Sequence, residues 1–325
     1  MKNIAVIAGG DSEEYIISIK SGAYVHSQID RSRYNPYLVI IQNKNWNVEI
    51  NNTLYSIDKN DFSVEYDGTR INFDFAYITI HGTPGENGML QGYFDLLDIP
   101  YSTSKLLTEA MTFDKYVCNN YLANFGINVS PSLLLAHAKS YDKDKIISLI
   151  GLPCFVKPNT DGSSFGVTKV NVIEEFDGAV ENIFEMGGSA LVESYIEGQE
   201  FTCGLCKIGD KKILMPVAEI IPKNEFFDFE AKYDAAFSEE IIPARFPQEL
   251  TNAIQDMTSE ICDILDCKGI IRVDGFIRGT EIIALEVNTT PGMTSNSFIP
   301  KMLAEMKITL GSLITEMIED ACRAN

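Results

Sequence analysis

The chain opens in the order strand, glycine pair, helix, strand, and this order narrows the fold more than any other feature. Asn3–Ala8 is a short run rich in Ile, Val and Ala that ends at Gly9-Gly10. Ser12 can cap a helix from Glu13 to about Ile29, with Glu13 and Glu14 in its first turn, where the helix dipole favours carboxylates. Pro36–Gln42 reads as a second strand and Phe75–Ile80 as a third. The glycine-rich stretch His81–Gly88 follows, then a helix to about Leu97, stopped by Pro100. A β-α-β alternation of this kind calls for a parallel sheet with covered faces.

The remainder changes character twice. A helix from about Thr112 to Asn124 comes first. Strands near Cys154–Lys157 and Val167–Val172 then flank the loop Pro158–Gly166. A helix with an acidic head, Glu174–Met186, and a strand at Ala190–Glu193 complete this stretch. Beyond it the pattern is mainly strand: Glu200–Lys207, Lys212–Leu214, Val217–Ile221, Gly269–Ile277 and Glu281–Asn288. A long helix, Gln248–Leu265, interrupts them, and two short helices close the chain. The expectation is α/β followed by α+β twice: residues 1–103, 104–193 and 194–325.

Composition removes several classes of function. With 325 residues, 45% apolar and 22% charged, the chain can bury a real core. Its formal net charge of −20 repels a phosphate backbone or an anionic leaflet, so neither nucleic acid nor a membrane surface is an expected partner. A small phosphorylated ligand is still compatible, because it needs only a local cluster of Lys and Arg. The longest uncharged run, Tyr116–Ala138, is broken by Asn119, Asn120, Asn124, Gly126, Asn128 and Pro131, which argues against a membrane span. Ile4–Ala8 is too short for the apolar segment of a secretory signal. Seven scattered cysteines, an odd number, fit reduced thiols in a cytoplasm. Cys203 and Cys206 form a C-x-x-C inside a strand-like run with no second pair, so core packing is expected rather than zinc or redox work.

Four constellations carry chemistry. In Lys157-Pro-Asn-Thr-Asp-Gly-Ser-Ser-Phe-Gly166 a strand delivers a lysine to a Gly/Ser loop, whose amides and hydroxyls can approach an anion. It is not a Walker A loop, and a flexible hairpin would look the same. Arg272-Val-Asp274 and Glu286-Val-Asn288 have i, i+2 spacing, which puts both side chains of each pair on one face of a strand. Two carboxylates and an amide oxygen suit Mg²⁺ completed by phosphate oxygens and water. Only His26, His81 and His137 are present, which weakens any case for zinc. Thr289–Ser297 follows directly, a turn-rich source of backbone donors for a developing oxyanion. Glu193–Glu200 and Gly9–Glu14 are weaker alone: the first reads equally as a solvated loop, the second as helix capping.

Taken together these motifs resemble the D-alanine–D-alanine ligases over essentially the whole chain. The resemblance rests on Gly9-Gly10 with Glu14 and Ser18, His81-Gly82 with Gly85-Glu86-Asn87-Gly88 and Gln91-Gly92, and Asp114-Lys115. It extends through Lys157-Pro158 with Gly162-Ser163-Ser164 and Gly166, Glu200-Phe201-Thr202, Glu230–Tyr233, and Glu286 through Ser297. It implies an ATP-grasp fold behind an N-terminal Rossmann-like domain, with nucleotide between the second and third units. By this similarity Lys115 and Lys157 hold the ATP phosphates, and the loop carrying Ser163 and Ser164 forms a lid. Glu193 and the backbone near Ile196 meet adenine, and Glu200 the ribose. Asp274, Glu286 and Asn288 bind two Mg²⁺, for which Mn²⁺ can substitute. Glu14 pairs with the ammonium of the first D-alanine, near His81, and Ser297 holds the carboxylate of the second. Arg272 and the Gly292 amide stabilise the oxyanion. Lys232 and Tyr233 lie on a closing loop, and Glu14, Ser163 and Tyr233 form a hydrogen-bonded triad. A bacterial cytoplasmic homodimer that builds peptidoglycan precursor is implied as well.

Two departures from the family pattern stand out. Tyr15 and Ile16 follow Glu14 where most members carry a basic residue or His and then Glu. Phe298 follows Ser297 where many carry Leu, beside the second-substrate pocket. D-Lactate or D-serine as second substrate is the near alternative. A catalytically silent nucleotide-binding regulator is the distant one, and it would have no need of Arg272, Asp274, Glu286 and Asn288 together. A nicotinamide dehydrogenase is disfavoured because no G-x-G-x-x-G follows the first strand.

Overall fold

The computed structural model describes residues 1–136, 139–160, 162, 166–222 and 238–323. Its frame is three sheets, each with helices against it.

The first sheet grows from β1 (Lys2–Gly9), whose Ile4–Ala8 run is fully buried on both faces. Such burial is the reason the run reads as continuously apolar rather than alternating. β1 pairs in parallel with β2 (Tyr34–Gln42) and β7 (Phe75–Ile78). Between these two the chain builds a meander not expected from sequence: β3 (Asn45–Ile50), β4 (Thr53–Asp58), β5 (Ser63–Tyr66) and β6 (Thr69–Ile71). The sheet is therefore seven-stranded and mixed, in the order β6-β5-β4-β3-β2-β1-β7, and parallel only around β1. α1 (Tyr15–Gln28) begins later than expected. Glu13 and Glu14 precede its first turn, and the Ser12 hydroxyl, ahead of the helix, donates to the His81 carbonyl at 2.8 Å and accepts the Glu14 N–H at 3.3 Å. α2 (Met89–Leu96) covers the other face, where Phe94 meets Phe62 edge-on at 4.9 Å.

The expected helix 112–124 is two helices, α3 (Leu106–Phe113) and α4 (Lys115–Ala123). Asp114 turns extended between them, and its carboxylate accepts the Val117 N–H at 2.9 Å, capping α4. Cys118 and Leu122 of α4 join the core of the third sheet.

The second sheet has the order β10-β9-β11-β8 and is antiparallel: β8 (Ser132–Leu135), β9 (Cys154–Pro158), β10 (Thr168–Val170) and β11 (Ala190–Ser194). β8 and the helix α5 (Lys143–Ile150) lack a sequence expectation. α6 (Phe176–Glu185) packs Phe176, Val180 and Ile183 on this sheet.

The third sheet has the order β14-β13-β12-β15-β16. Its strands are β12 (Gln199–Ile208), β13 (Lys211–Pro222), β14 (Ser238–Ile241), β15 (Gly269–Arg278) and β16 (Glu281–Asn288). β13 runs unbroken through the two short strands expected at 212–214 and 217–221. α7 (Gln248–Ile264), α8 (Phe298–Glu305) and α9 (Leu310–Ala321) cover it. α8 and α9 also reach the first sheet: Ile299, Met302, Leu313, Ile314 and Met317 share one buried cluster with Ile4, Val6, Phe75 and Tyr77.

Candidate active site

β15 and β16 set the centre of the site by register. Arg272 lies opposite Asn288 and Asp274 opposite Glu286, so the two i, i+2 pairs face one way while Val273 is fully buried beneath. Asp274 is held on all sides. Arg272 donates to it through Nε at 2.8 Å and Nη2 at 2.6 Å, Asn288 Nδ2 donates at 3.0 Å, and the Thr202 hydroxyl donates from the neighbouring β12. A bidentate Arg–carboxylate pair of this sort fixes direction as well as charge. Among the described residues no three His, Cys, Asp or Glu side chains converge as a complete ligand set. Asp274, Glu286 and the Asn288 amide oxygen form an all-oxygen set of two carboxylates and one amide. That set fits Mg²⁺, which takes its remaining positions from phosphate and water.

A cleft of about 1020 Å³ runs from this centre between the second and third sheets and back to α1. Lys115, Lys157, Glu193, Ile196 and Glu200 line it, as do Glu14, His81, Arg272, Asp274, Glu286, Asn288, Gly292, Ser297 and Phe298. Thus the structure brings together every candidate residue in its described portion. Ser163, Ser164, Lys232 and Tyr233 lie outside the described residues.

On the side of the second sheet, Lys157 Nζ meets Glu193 Oε2 at 2.6 Å, both groups buried. Sequence similarity implies different partners for these two, phosphate and adenine, yet the structure joins them. The other Glu193 oxygen, Oε1, is buried without a hydrogen-bond partner. On the opposite side, Glu14 stands just before α1, where Gly162 approaches closely: a Cβ there would sit 2.6 Å from Glu14 Oε2. Hence Gly162 reaches the carboxylate at the head of α1. His81 is buried with Nε2 unpartnered. Burial holds its pKa below the usual imidazole value, against the pull of the nearby Glu14 charge, so the ring is neutral. Glu86 accepts the Gly82 N–H at 2.7 Å. Desolvation, reinforced by the Glu14 charge, pushes its pKa up to about 8.

The turn after β16 closes the cleft. Ser297 Oγ accepts the Thr294 N–H at 3.1 Å and shares a 2.8 Å hydrogen bond with the Thr294 hydroxyl. The Arg272 guanidinium lies 5.9 Å from the centre of the Phe298 ring, a cation–π distance. Several lining residues had not been singled out. Ile17, Lys20 and Tyr24 line the cleft from α1, and their i, i+3, i+7 spacing was a usable signal. Glu219 with Arg245, and Glu240 with Lys301, pair across elements distant in sequence, which no local pattern announces.

Two antiparallel α+β layers gripping a cleft, behind a first unit with a parallel β-α-β centre, define an ATP-grasp fold with an N-terminal Rossmann-like domain. Residues 3–104 match the family model described as D-ala D-ala ligase N-terminus, and residues 121–319 the one described as D-ala D-ala ligase C-terminus. The D-alanine–D-alanine ligase of Azobacteroides pseudotrichonymphae genomovar. CFP2 is 50% identical over 322 residues, covering 98% of this chain and 99% of that one. Among solved structures, the VanG D-Ala:D-Ser ligase from Enterococcus faecalis matches with a TM-score of 0.85 at 31% identity, covering 98% of each chain. The D-alanine–D-alanine ligase from Bacillus anthracis complexed with ATP matches with a TM-score of 0.80 at 27% identity, covering 100% of this chain and 98% of that one. The chain belongs to the D-alanine–D-alanine ligase family.

Proposed function

We propose that this enzyme joins two D-alanines, with ATP, into D-alanyl-D-alanine, ADP and phosphate for peptidoglycan synthesis. The observation that carries this reading is the Arg272–Asp274–Glu286–Asn288 face, assembled by register in a chain 50% identical to a D-alanine–D-alanine ligase along its length.

A carboxylate is a poor electrophile, so it is activated first. Glu14 takes the ammonium of the first D-alanine, beside the neutral ring of His81. The substrate carboxylate attacks the γ-phosphorus, the bond to ADP breaks, and D-alanyl phosphate forms. Lys115 and Lys157 offset the dispersed charge on the phosphoryl group. Glu193 and the Ile196 backbone meet adenine and Glu200 the ribose. The free Oε1 of Glu193 supports this, since adenine's exocyclic amine would satisfy it. Asp274, Glu286 and Asn288 would hold Mg²⁺, or Mn²⁺ in its place, which supplies charge neutralisation at the phosphates. Ser297 holds the carboxylate of the second D-alanine. Its amine attacks the acyl carbonyl, Arg272 and the Gly292 amide steady the oxyanion, and phosphate leaves as the amine gives up its proton. One such donor is worth about 3 kcal/mol of barrier. Ser163, Ser164, Lys232 and Tyr233 are assigned, by family resemblance, to the loops that keep water from the acyl phosphate.

The division into units 1–103, 104–193 and 194–325 belongs to the same reading, with residues 106–123 bridging the last two through the third-sheet core. So do a homodimer and a cytoplasmic setting where ATP is abundant. No helix among the described residues is long and apolar enough to cross a membrane.

A second reading, D-serine as second substrate, is favoured by the likeness to the Enterococcus faecalis D-Ala:D-Ser ligase. Phosphate release from ATP with D-alanine, D-serine and D-lactate offered in turn, with products identified, separates them. Dipeptide from D-alanine alone at neutral pH is expected. A preference for D-serine or D-lactate over D-alanine would overturn the assignment.

A further inference from the structure

A polar thread crosses the apolar seam between the first unit and the third sheet. Gln91 and Glu109 are both fully buried in it. Gln91 Nε2 donates to the Gly85 carbonyl at 2.7 Å and to the Thr103 hydroxyl at 2.9 Å. The Thr103 hydroxyl donates to the Ser104 carbonyl at 3.3 Å. Ser104 Oγ accepts the Lys268 N–H at 3.0 Å, at the head of β15, and the Ser104 amide and hydroxyl face the Glu109 carboxyl. Glu109 Oε2 then accepts the Thr289 hydroxyl at 2.6 Å. Thr289 immediately follows Asn288 and opens the turn that carries Gly292 and Ser297.

That turn has few other cross-chain anchors among the described residues. The Met293 N–H donates to the Ser21 hydroxyl at 3.3 Å, the Thr290 backbone meets the His81 ring, and the Thr112 and Thr289 hydroxyls lie 3.4 Å apart. The Glu109 bond is shorter than the first of these and is shielded from water throughout.

We propose that Glu109 is a positioning residue for the ligation set out above: through Thr289 it holds the 289–297 turn in register with the glycine-rich turn bearing His81 and Glu86. The two turns meet in the cleft wall, the Thr290 backbone against the His81 ring, so their register sets where the second amine meets the acyl carbonyl. Burial, with the Glu86 charge adding to it, drives the Glu109 pKa well above the usual carboxylate range. Its Oε2 serves as the acceptor for the Thr289 hydroxyl, and glutamine, of the same shape and with a carbonyl acceptor, should replace it.

The test compares Glu109→Ala, Glu109→Gln and Thr289→Val in the full chain. It reads KM for ATP, KM for the second D-alanine, dipeptide formed per ATP consumed, and hydrogen exchange of the 289–297 amides. In Glu109→Ala, exchange in 289–297 should quicken about tenfold, as loss of one buried hydrogen bond predicts, while α3 amides keep their rates. KM for the second D-alanine should rise and dipeptide per ATP fall, with KM for ATP nearly unchanged. Glu109→Gln should restore all three. Thr289→Val, which removes the same bond from the other end together with the longer Thr112 contact, should reproduce the alanine pattern, and it carries the test if Glu109→Ala does not fold. The proposal is overturned if Gln is as impaired as Ala, if exchange quickens evenly over the chain, or if coupling of ATP to dipeptide is unchanged. If the wild type makes no D-alanyl-D-alanine, the proposed function fails, and the exchange pattern still decides the role of Glu109.

Discussion

Asp274 and Glu286 are register partners, yet they carry different loads. Asp274 satisfies Arg272, Asn288 and Thr202 and so belongs to the fold as much as to the site. Asp274→Ala should cost about 3 kcal/mol in urea unfolding, because Arg272, Asn288 and Thr202 all lose the carboxylate they share. Glu286→Gln should instead leave a folded protein with ATP-dependent ligation down by about 100-fold or more. Near-normal turnover of that variant at saturating Mg²⁺ would show the metal cluster to be misassigned. Glu86 offers a pH test. Its folded pKa, about 8, exceeds the ordinary value of 4.5. Between those two values the folded state keeps a proton that the unfolded chain releases, so stability falls as pH rises. Relative to wild type, Glu86→Gln should gain stability across that window, by at most about 1.4 kcal/mol per pH unit, and level off above it. Parallel stability–pH curves for the two proteins would contradict this. Residues such as Glu14 and Arg272 were legible because their motifs are local. Glu109 was not, since nothing near it in sequence announces that Thr289 closes over it.

At the scale of elements, period and turn chemistry carried most of the information. β16 was read at its observed ends because Glu281–Asn288 is strongly apolar between an Arg-Gly-Thr turn and a Thr-Thr-Pro break. The β3–β6 meander was missed although its signal was present. Asn45–Ile50 and Thr53–Asp58 flank Asn51-Asn52, both of which take positive φ, the hairpin conformation that Asn tolerates. The break between α3 and α4 was hidden because helix propensity is continuous through Phe113-Asp114-Lys115, and only the cap geometry separates them. Asn159 receives the first turn of α4, its carbonyl accepting the Lys115 N–H at 3.1 Å and its Oδ1 the Tyr116 N–H at 2.9 Å. Asp114→Ala should therefore cost about 1 kcal/mol by denaturant unfolding and raise KM for ATP, since it loosens the helix that presents Lys115. An unchanged midpoint would mean that Asn159 alone secures that end.

Over the whole molecule, the first unit and the third sheet share one core through the cluster that α8 and α9 form with β1 and β7. Gly269 marks the closest approach. Its φ is +72°, and a Cβ would sit 2.0 Å from the Ser102 carbonyl oxygen. Gly269→Ala should cost about 2 kcal/mol or more, read as a lowered urea midpoint, because backbone must move on both sides of the seam. A midpoint equal to wild type would show that the seam yields freely. The residues alone were enough for the parallel opening, the i, i+2 faces of β15 and β16, and the acidic surface charge. Each of these depends on spacing or composition, which a chain displays before it folds. The pairing of Lys157 with Glu193, the Glu109 thread and the raised pKa of Glu86 came only with tertiary structure. They depend on which groups lose water together, and desolvation is a property of packing between segments far apart in the chain.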